Sequence, residues 1–147
     1  MQAIWFACFI VLLLAGAIGA AWDSCQPKTP TLEEKAEEGD AEAQSMLGFE
    51  YELKQDLKEA AKWYRKAAEQ GIADAQFRLG VAYANGEGVL EDTLAAYAWY
   101  NIAAANGDDS AKGLKDIITK EMTPEQIAEA QKLSREIIAK NPKLIGD

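Results

Sequence analysis

A phrase that recurs at a fixed offset constrains this chain more than any other feature. "AEAQSMLGFEY", Ala41 to Tyr51, returns 32 positions later as "ADAQFRLGVAY", Ala73 to Tyr83, sharing two alanines, a glutamine, a leucine, a glycine and a tyrosine. After each comes a second shared pattern, A-x-x-W-Y-x-x-A-A-x-x-G, from Ala60 to Gly71 and again from Ala96 to Gly107, 36 positions on. Its shared residues fall at i, i+3, i+4, i+7, i+8 and i+11, one face of a helix. Tyr51 precedes Trp63 by 12 positions and Tyr83 precedes Trp99 by 16, so the second unit holds four more residues between its helices, within "ANGEGVLED". A unit of two helices and a turn cannot bury its apolar face alone and must stack on a neighbour. The chain is therefore predicted to be all-α, built of stacked helix pairs.

Helix boundaries carry their own signals. Asp40 and Asp74 are placed to cap the first helix of each unit, and Asp56 and Asp92 the second, because a short acceptor satisfies the orphan N–H groups of a helix start. Gly71 and Gly107 stand where a left-handed residue ends each second helix. "TLEE" from Thr31 and "TPEQ" from Thr123 read as capping boxes, adding a leading helix over 32–38 and a closing helix over 124–140. Residues 22–30, with "CQPKTP", read as a linker and "NPKLIGD" (141–147) as a tail after the last helix. The repeat core is predicted to be Ala43, Leu47, Gly48, Tyr51, Trp63 and Tyr64 in the first unit, with Ala75, Leu79, Gly80, Tyr83, Trp99 and Tyr100 in the second. A glycine inside a helix costs about 1 kcal/mol against alanine, so Gly48 and Gly80 need a compensating reason, which close approach of an aromatic supplies. Trp63 and Trp99 are expected to fill the space between helices.

The combined pattern A-x-A-Q-x-x-L-G-x-x-Y, a turn, then A-x-x-W-Y-x-x-A-A-x-x-G resembles the Sel1-like repeat, a relative of the tetratricopeptide repeat. The resemblance covers full units at 40–73 and 74–107, with "EEKAEEG" similar to the end of a preceding second helix. "GEGVLED" (86–92) resembles the family's inter-helix turn, whereas "YELKQD" in the first unit lacks its glycines. The segment 108–140 has lost the L-G-x-x-Y core and is similar to a degenerate terminal cap. The resemblance implies an α-solenoid of antiparallel helix pairs, a repeat domain over 31–140 that holds other proteins, and it implies no catalytic centre.

Composition narrows the chemistry. There is no histidine, and Cys25 is the only cysteine outside the first 21 residues, which excludes histidine-based metal sites, a Ser-His-Asp triad, a thiolate zinc site and an internal disulfide of the mature chain. No cofactor or metal is expected. The formal net charge of −9 opposes nucleic-acid binding, which needs a basic footprint. "NGEGV" follows a helix rather than a strand and lacks the Lys-Ser or Lys-Thr of a phosphate loop, so it reads as a turn. The first 22 residues carry no charged side chain; Ile4 to Leu14 is an apolar core, and "AGAIGAAW" supplies small residues for cleavage near Ala20 or Ala21. Residues 1–21 thus read as a bacterial-type signal peptide directing a periplasmic or secreted chain, with retention as a membrane anchor the alternative, since the run lacks a basic start and is long enough to span.

On the first helices, the faces opposite the core place Glu42, Met46 and Phe49 beside Asp74, Phe77, Arg78 and Val81. The resemblance to tetratricopeptide-type solenoids implies that the first helices line a concave groove, where Met46, Phe49, Phe77 and Val81 form an apolar strip rimmed by Glu42, Asp74 and Arg78, and such strips mark binding sites; the competing reading packs some of these side chains within the superhelix. The functional expectation is an exported, non-enzymatic adaptor or envelope regulator binding another protein there. The alternatives are an immunity protein neutralising an exported toxin and, remotely, a β-lactam-binding or hydrolysing enzyme similar to the disulfide-rich relatives of this repeat family, although their cysteine pairs are absent. The packing reading has a direct check: Trp63→Ala or Trp99→Ala should each cost about 3 to 5 kcal/mol, and unchanged melting temperatures in both would contradict it.

Overall fold

The computed structural model describes residues 28–146. Residues 1–21, most of the linker, Cys8 and Cys25 lie outside this range. Among the described residues there are seven α-helices and no strand: α1 (Leu32–Glu37), α2 (Ala41–Leu53), α3 (Leu57–Glu69), α4 (Ala73–Asn85), α5 (Thr93–Ala105), α6 (Asp109–Thr119) and α7 (Pro124–Lys140), then a 3₁₀ turn at Pro142–Leu144. The pairs α2/α3 and α4/α5 are the two repeats, α3 packs on α4, and α5 packs on both α6 and α7. No helix among the described residues is long and apolar enough to cross a membrane.

The helix starts follow the side-chain chemistry. Thr31 and Thr123 form complete capping boxes with Glu34 and Gln126, the latter behind Pro124. Asp40, Asp56 and Asp92 accept from the backbone N–H of Ala43, Glu59 and Ala95 at 2.8, 3.2 and 3.0 Å. Asp74 does not cap: α4 starts from Ile72, which offers no side-chain acceptor, and the Asp74 carboxylate is taken instead by Arg78 Nε at 2.9 Å. Asp108 caps α6 through Ala111 N–H at 2.8 Å. Gly71 and Gly107 are left-handed at φ 92° and 91°.

The space between paired helices is filled by tyrosine rather than tryptophan. A Cβ built on Gly48 would lie 2.7, 2.8 and 3.1 Å from three atoms of the Tyr64 ring, and one on Gly80 would lie 2.6, 2.7 and 3.3 Å from Tyr100, so each glycine sits over a ring face. Both tyrosines are buried. The preceding tryptophans lie about 100° further round their helices. Trp99 is buried in the largest core cluster, while Trp63 is half-buried with Lys66 Nζ 3.8 Å over its ring, so its removal leaves less of a cavity. Two repeat glutamines absent from the predicted core also prove buried. Gln44 Nε2 donates to Ala36 O at 2.9 Å and Gln76 Nε2 to Ala68 O at 3.1 Å, tying each first helix to the end of the helix before it.

The two inter-helix turns solve one problem differently. The shorter turn of the first repeat puts Gln55, a non-glycine, at φ 62°. In the second, Gly88 lies so close to α3 that a Cβ would be 2.0 Å from Leu57 O, which makes that turn an inter-repeat contact. The tail reading of 141–147 needs revision: Leu144 is 1% exposed and belongs to the main core cluster.

Identical substitutions at two helical glycines should therefore have opposite signs. Gly80→Ala forces the Tyr100 ring to move and should cost about 1 to 3 kcal/mol despite the gain in helix propensity. Gly113, mid-helix in α6 with open space around it, should gain about 0.5 to 1 kcal/mol as alanine. Chemical denaturation of both variants checks the pair; equal shifts would contradict the ring-on-glycine packing.

Candidate functional site

Arg78, in the second turn of α4, organises the exposed face shared by α2 and α4. Its guanidinium carbon lies 5.0 Å from the Phe49 ring centroid and 5.6 Å from that of Tyr64. Nη1 pairs with Glu52 Oε2 at 3.1 Å and Nε with Asp74 Oδ2 at 2.9 Å. Tyr64 Oη donates to the same Glu52 oxygen at 2.5 Å. One carboxylate thus joins the tyrosine that sets the α2/α3 distance to the arginine on the next repeat. Burial works against the Arg78 charge, but the Asp74 hydrogen bond and the neighbouring charges outweigh it and hold its pKa above the ordinary value. Burial raises the Tyr64 phenol well above the usual range, with the Glu52 hydrogen bond adding to it.

Two clefts meet at Arg78. One holds about 410 Å³ beside Leu32, Met46, Phe49, Leu53 and Asp74. The other holds about 310 Å³ beside Glu52, Leu57, Tyr64, Phe77, Val81 and Glu87. Of the side chains predicted to line a groove, Met46 and Phe49 are exposed at 61% and 43% and share the first cleft with Asp74 and Arg78. Phe77 and Val81 line the second cleft, but both also pack on the Tyr100 cluster, with Phe77 and Tyr100 centroids 6.1 Å apart. Arg78 stands between the clefts rather than at a rim. Glu42 is exposed in the first turn of α2 and lines neither cleft.

Three participants were not singled out from sequence. Leu53 is 67% exposed and, with Met46 and Phe49, completes an i, i+3, i+7 stripe that was legible in the spacing. Glu52, three positions after Phe49, was equally available. Tyr64 was assigned to the core alone, because nothing local reveals where its hydroxyl emerges. The set offers stacking, apolar contact and charge-assisted hydrogen bonding, which are means of recognition. Its exposed ion pairs contribute only about 0 to 1 kcal/mol each to folding, so their main effect is to fix the guanidinium over Phe49.

Residues 41–72 and 73–108 each match the Sel1 repeat model. The chain is 39% identical over 66 residues to the chitin synthase regulator SKT5 of Saccharomyces cerevisiae, a match covering 45% of this chain and 10% of that protein. It is 35% identical over 83 residues to DAP3-binding cell death enhancer 1 of Rattus norvegicus, covering 55% of this chain and 16% of the other. Among solved structures, a protective antigen of uropathogenic Escherichia coli displaying an SLR fold aligns with a TM-score of 0.70 and 35% identity, over 77% of this chain and 26% of that one. The chain thus spans between a tenth and about a quarter of the length of these proteins.

The tyrosines give the domain an alkaline limit. Burial pushes Tyr100 up to about 12 from 10.0, with Glu87 adding to the shift, and Tyr64 is raised further. A phenol with a higher pKa folded than unfolded stabilises the fold in full below the unfolded value, and that stability is lost as pH rises through the folded one. The melting temperature should fall as pH is raised from about 10 to about 12, and the fall should be shallower in Tyr64→Phe. An identical slope in that variant would contradict the assignment.

Proposed function

We propose that this chain, which carries two Sel1 repeats, is an exported, non-enzymatic module that docks another envelope or secreted protein on the concave face formed by α2 and α4. The observation that carries the reading is the stripe of Met46, Phe49 and Leu53, exposed at 61%, 43% and 67% around a pre-oriented Arg78. Apolar side chains in a polar rim contribute most when a partner covers them. Regulation and protein binding in the names of the relatives support the general role. Export rests on the uncharged first 22 residues and their small-residue exit. With the signal removed, membrane association is not expected; with it retained, the same module would be displayed from a bilayer.

Affinity capture from envelope and secreted extracts of the source cells, using residues 22–147, tests the reading. Met46→Glu combined with Leu53→Glu should reduce recovery of a specific partner at least tenfold, equivalent to about 1.4 kcal/mol. Leu90→Glu, on the second repeat's turn and 89% exposed, should leave recovery unchanged. Equal recovery by the α2 variant would place docking elsewhere and retire the proposal.

A further inference from the structure

The six residues after α7 are held in the manner of a bound peptide. Of Asn141 to Gly146, only Leu144 is buried; Pro142, Lys143 and Gly146 are exposed. Ile145 is half-buried against the same core cluster, and the rest of the hold on the segment is polar and directed at or from the main chain. Gln76 Nε2 and Asn106 Nδ2 both donate to Leu144 O, at 2.8 and 2.5 Å, and Asn106 Oδ1 accepts from Gly146 N–H at 2.9 Å. One amide side chain thus grips the carbonyl and the N–H on either side of Ile145, the extended residue that follows the 3₁₀ turn. Asn141 Nδ2 donates to Glu69 O at 2.6 Å at the end of α3. Gly71 leaves room for the chain, since a Cβ there would lie 2.7 Å from Lys143 O.

The first repeat shows why the notch exists at only one junction. Gln70, the counterpart of Asn106, directs its amide to Gly39 O at 3.0 Å and Gln44 Oε1 at 2.8 Å, closing on its own backbone. Asn106 is shorter by one methylene. It keeps the contact to Gln76 Oε1 at 2.7 Å and turns its other amide proton to the segment.

We propose that Gly71, Gln76 and Asn106 form a peptide-binding notch that the chain fills in cis with residues 141–146. The same notch accepts in trans a segment with a leucine anchor at the end of a tight turn, an extended apolar residue after it, a free carbonyl on the leucine and an N–H two residues on. This site is separate from the clefts at Arg78 and does not depend on the role proposed for them.

The test uses the full chain carrying Leu144→Ser, which removes the anchor from the resident segment, and a labelled peptide Asn-Pro-Lys-Leu-Ile-Gly. Anisotropy should show saturable binding at least tenfold tighter to Leu144→Ser than to the wild-type chain, whose own segment competes. Adding Asn106→Leu should weaken it at least tenfold. Equal binding to wild type and Leu144→Ser, or no binding to a variant that keeps its helical circular dichroism, would overturn the proposal. Hydrogen exchange on the wild-type chain is independent of whether the variant folds. The amides of Leu144 and Gly146 should exchange faster than those of α3 and α5 through local opening, and exchange at the common rate of global unfolding would make the segment a fixed part of the core.

Discussion

The face of Tyr64 over Gly48, and of Tyr100 over Gly80, sets the distance between the helices of each repeat, and the rest of the domain is arranged around that distance. A side chain on either glycine would collide with a buried ring. With the glycines in place, small residues at Ala60, Ala67 and Ala68, and at Ala96 and Ala103, can be fully enclosed. The helix-propensity cost of about 1 kcal/mol per glycine is offset by burial of an aromatic side chain, worth several times that amount.

The same packing prepares the exposed face. In the first repeat the Tyr64 hydroxyl emerges beside Glu52, and that carboxylate fixes Arg78 across Phe49. In the second repeat the equivalent ring meets Phe77 instead, so the surface changes from a charged cluster to an apolar one along the same row of first helices. A repeat fold thus presents different chemistry at successive positions without altering its core. The second repeat is also covered more completely, by α6, α7 and the segment around Leu144, whereas Trp63 in the first repeat remains half-buried.

Much of this was legible in the residues, because repeats write the same local constraints twice. The two helix pairs of the repeats, the closing helix over 124–140, the capping boxes and the glycine beneath an aromatic all follow from spacing and short-range chemistry. The misses have a common cause in longer range. Asp74 has the right type for a cap, but Arg78 four residues on takes its carboxylate. Tryptophan was favoured over tyrosine by size, while the helical phase puts tyrosine opposite the glycine. Leu144 bonds to Gln76 across 68 residues, and no local pattern reports such a contact. Leu53 and Glu52 were different, since their spacing from Phe49 already placed them on the exposed stripe.

The most direct measurement of the central packing is the proton chemical shift of the Gly48 and Gly80 α-methylenes in solution. Protons held over an aromatic face are shifted upfield by the ring current, so one proton of each glycine should lie well upfield of ordinary helical glycine. Each should return to the ordinary position in Tyr64→Leu and Tyr100→Leu respectively. Both glycines at ordinary helical shifts in the wild-type protein would contradict the account.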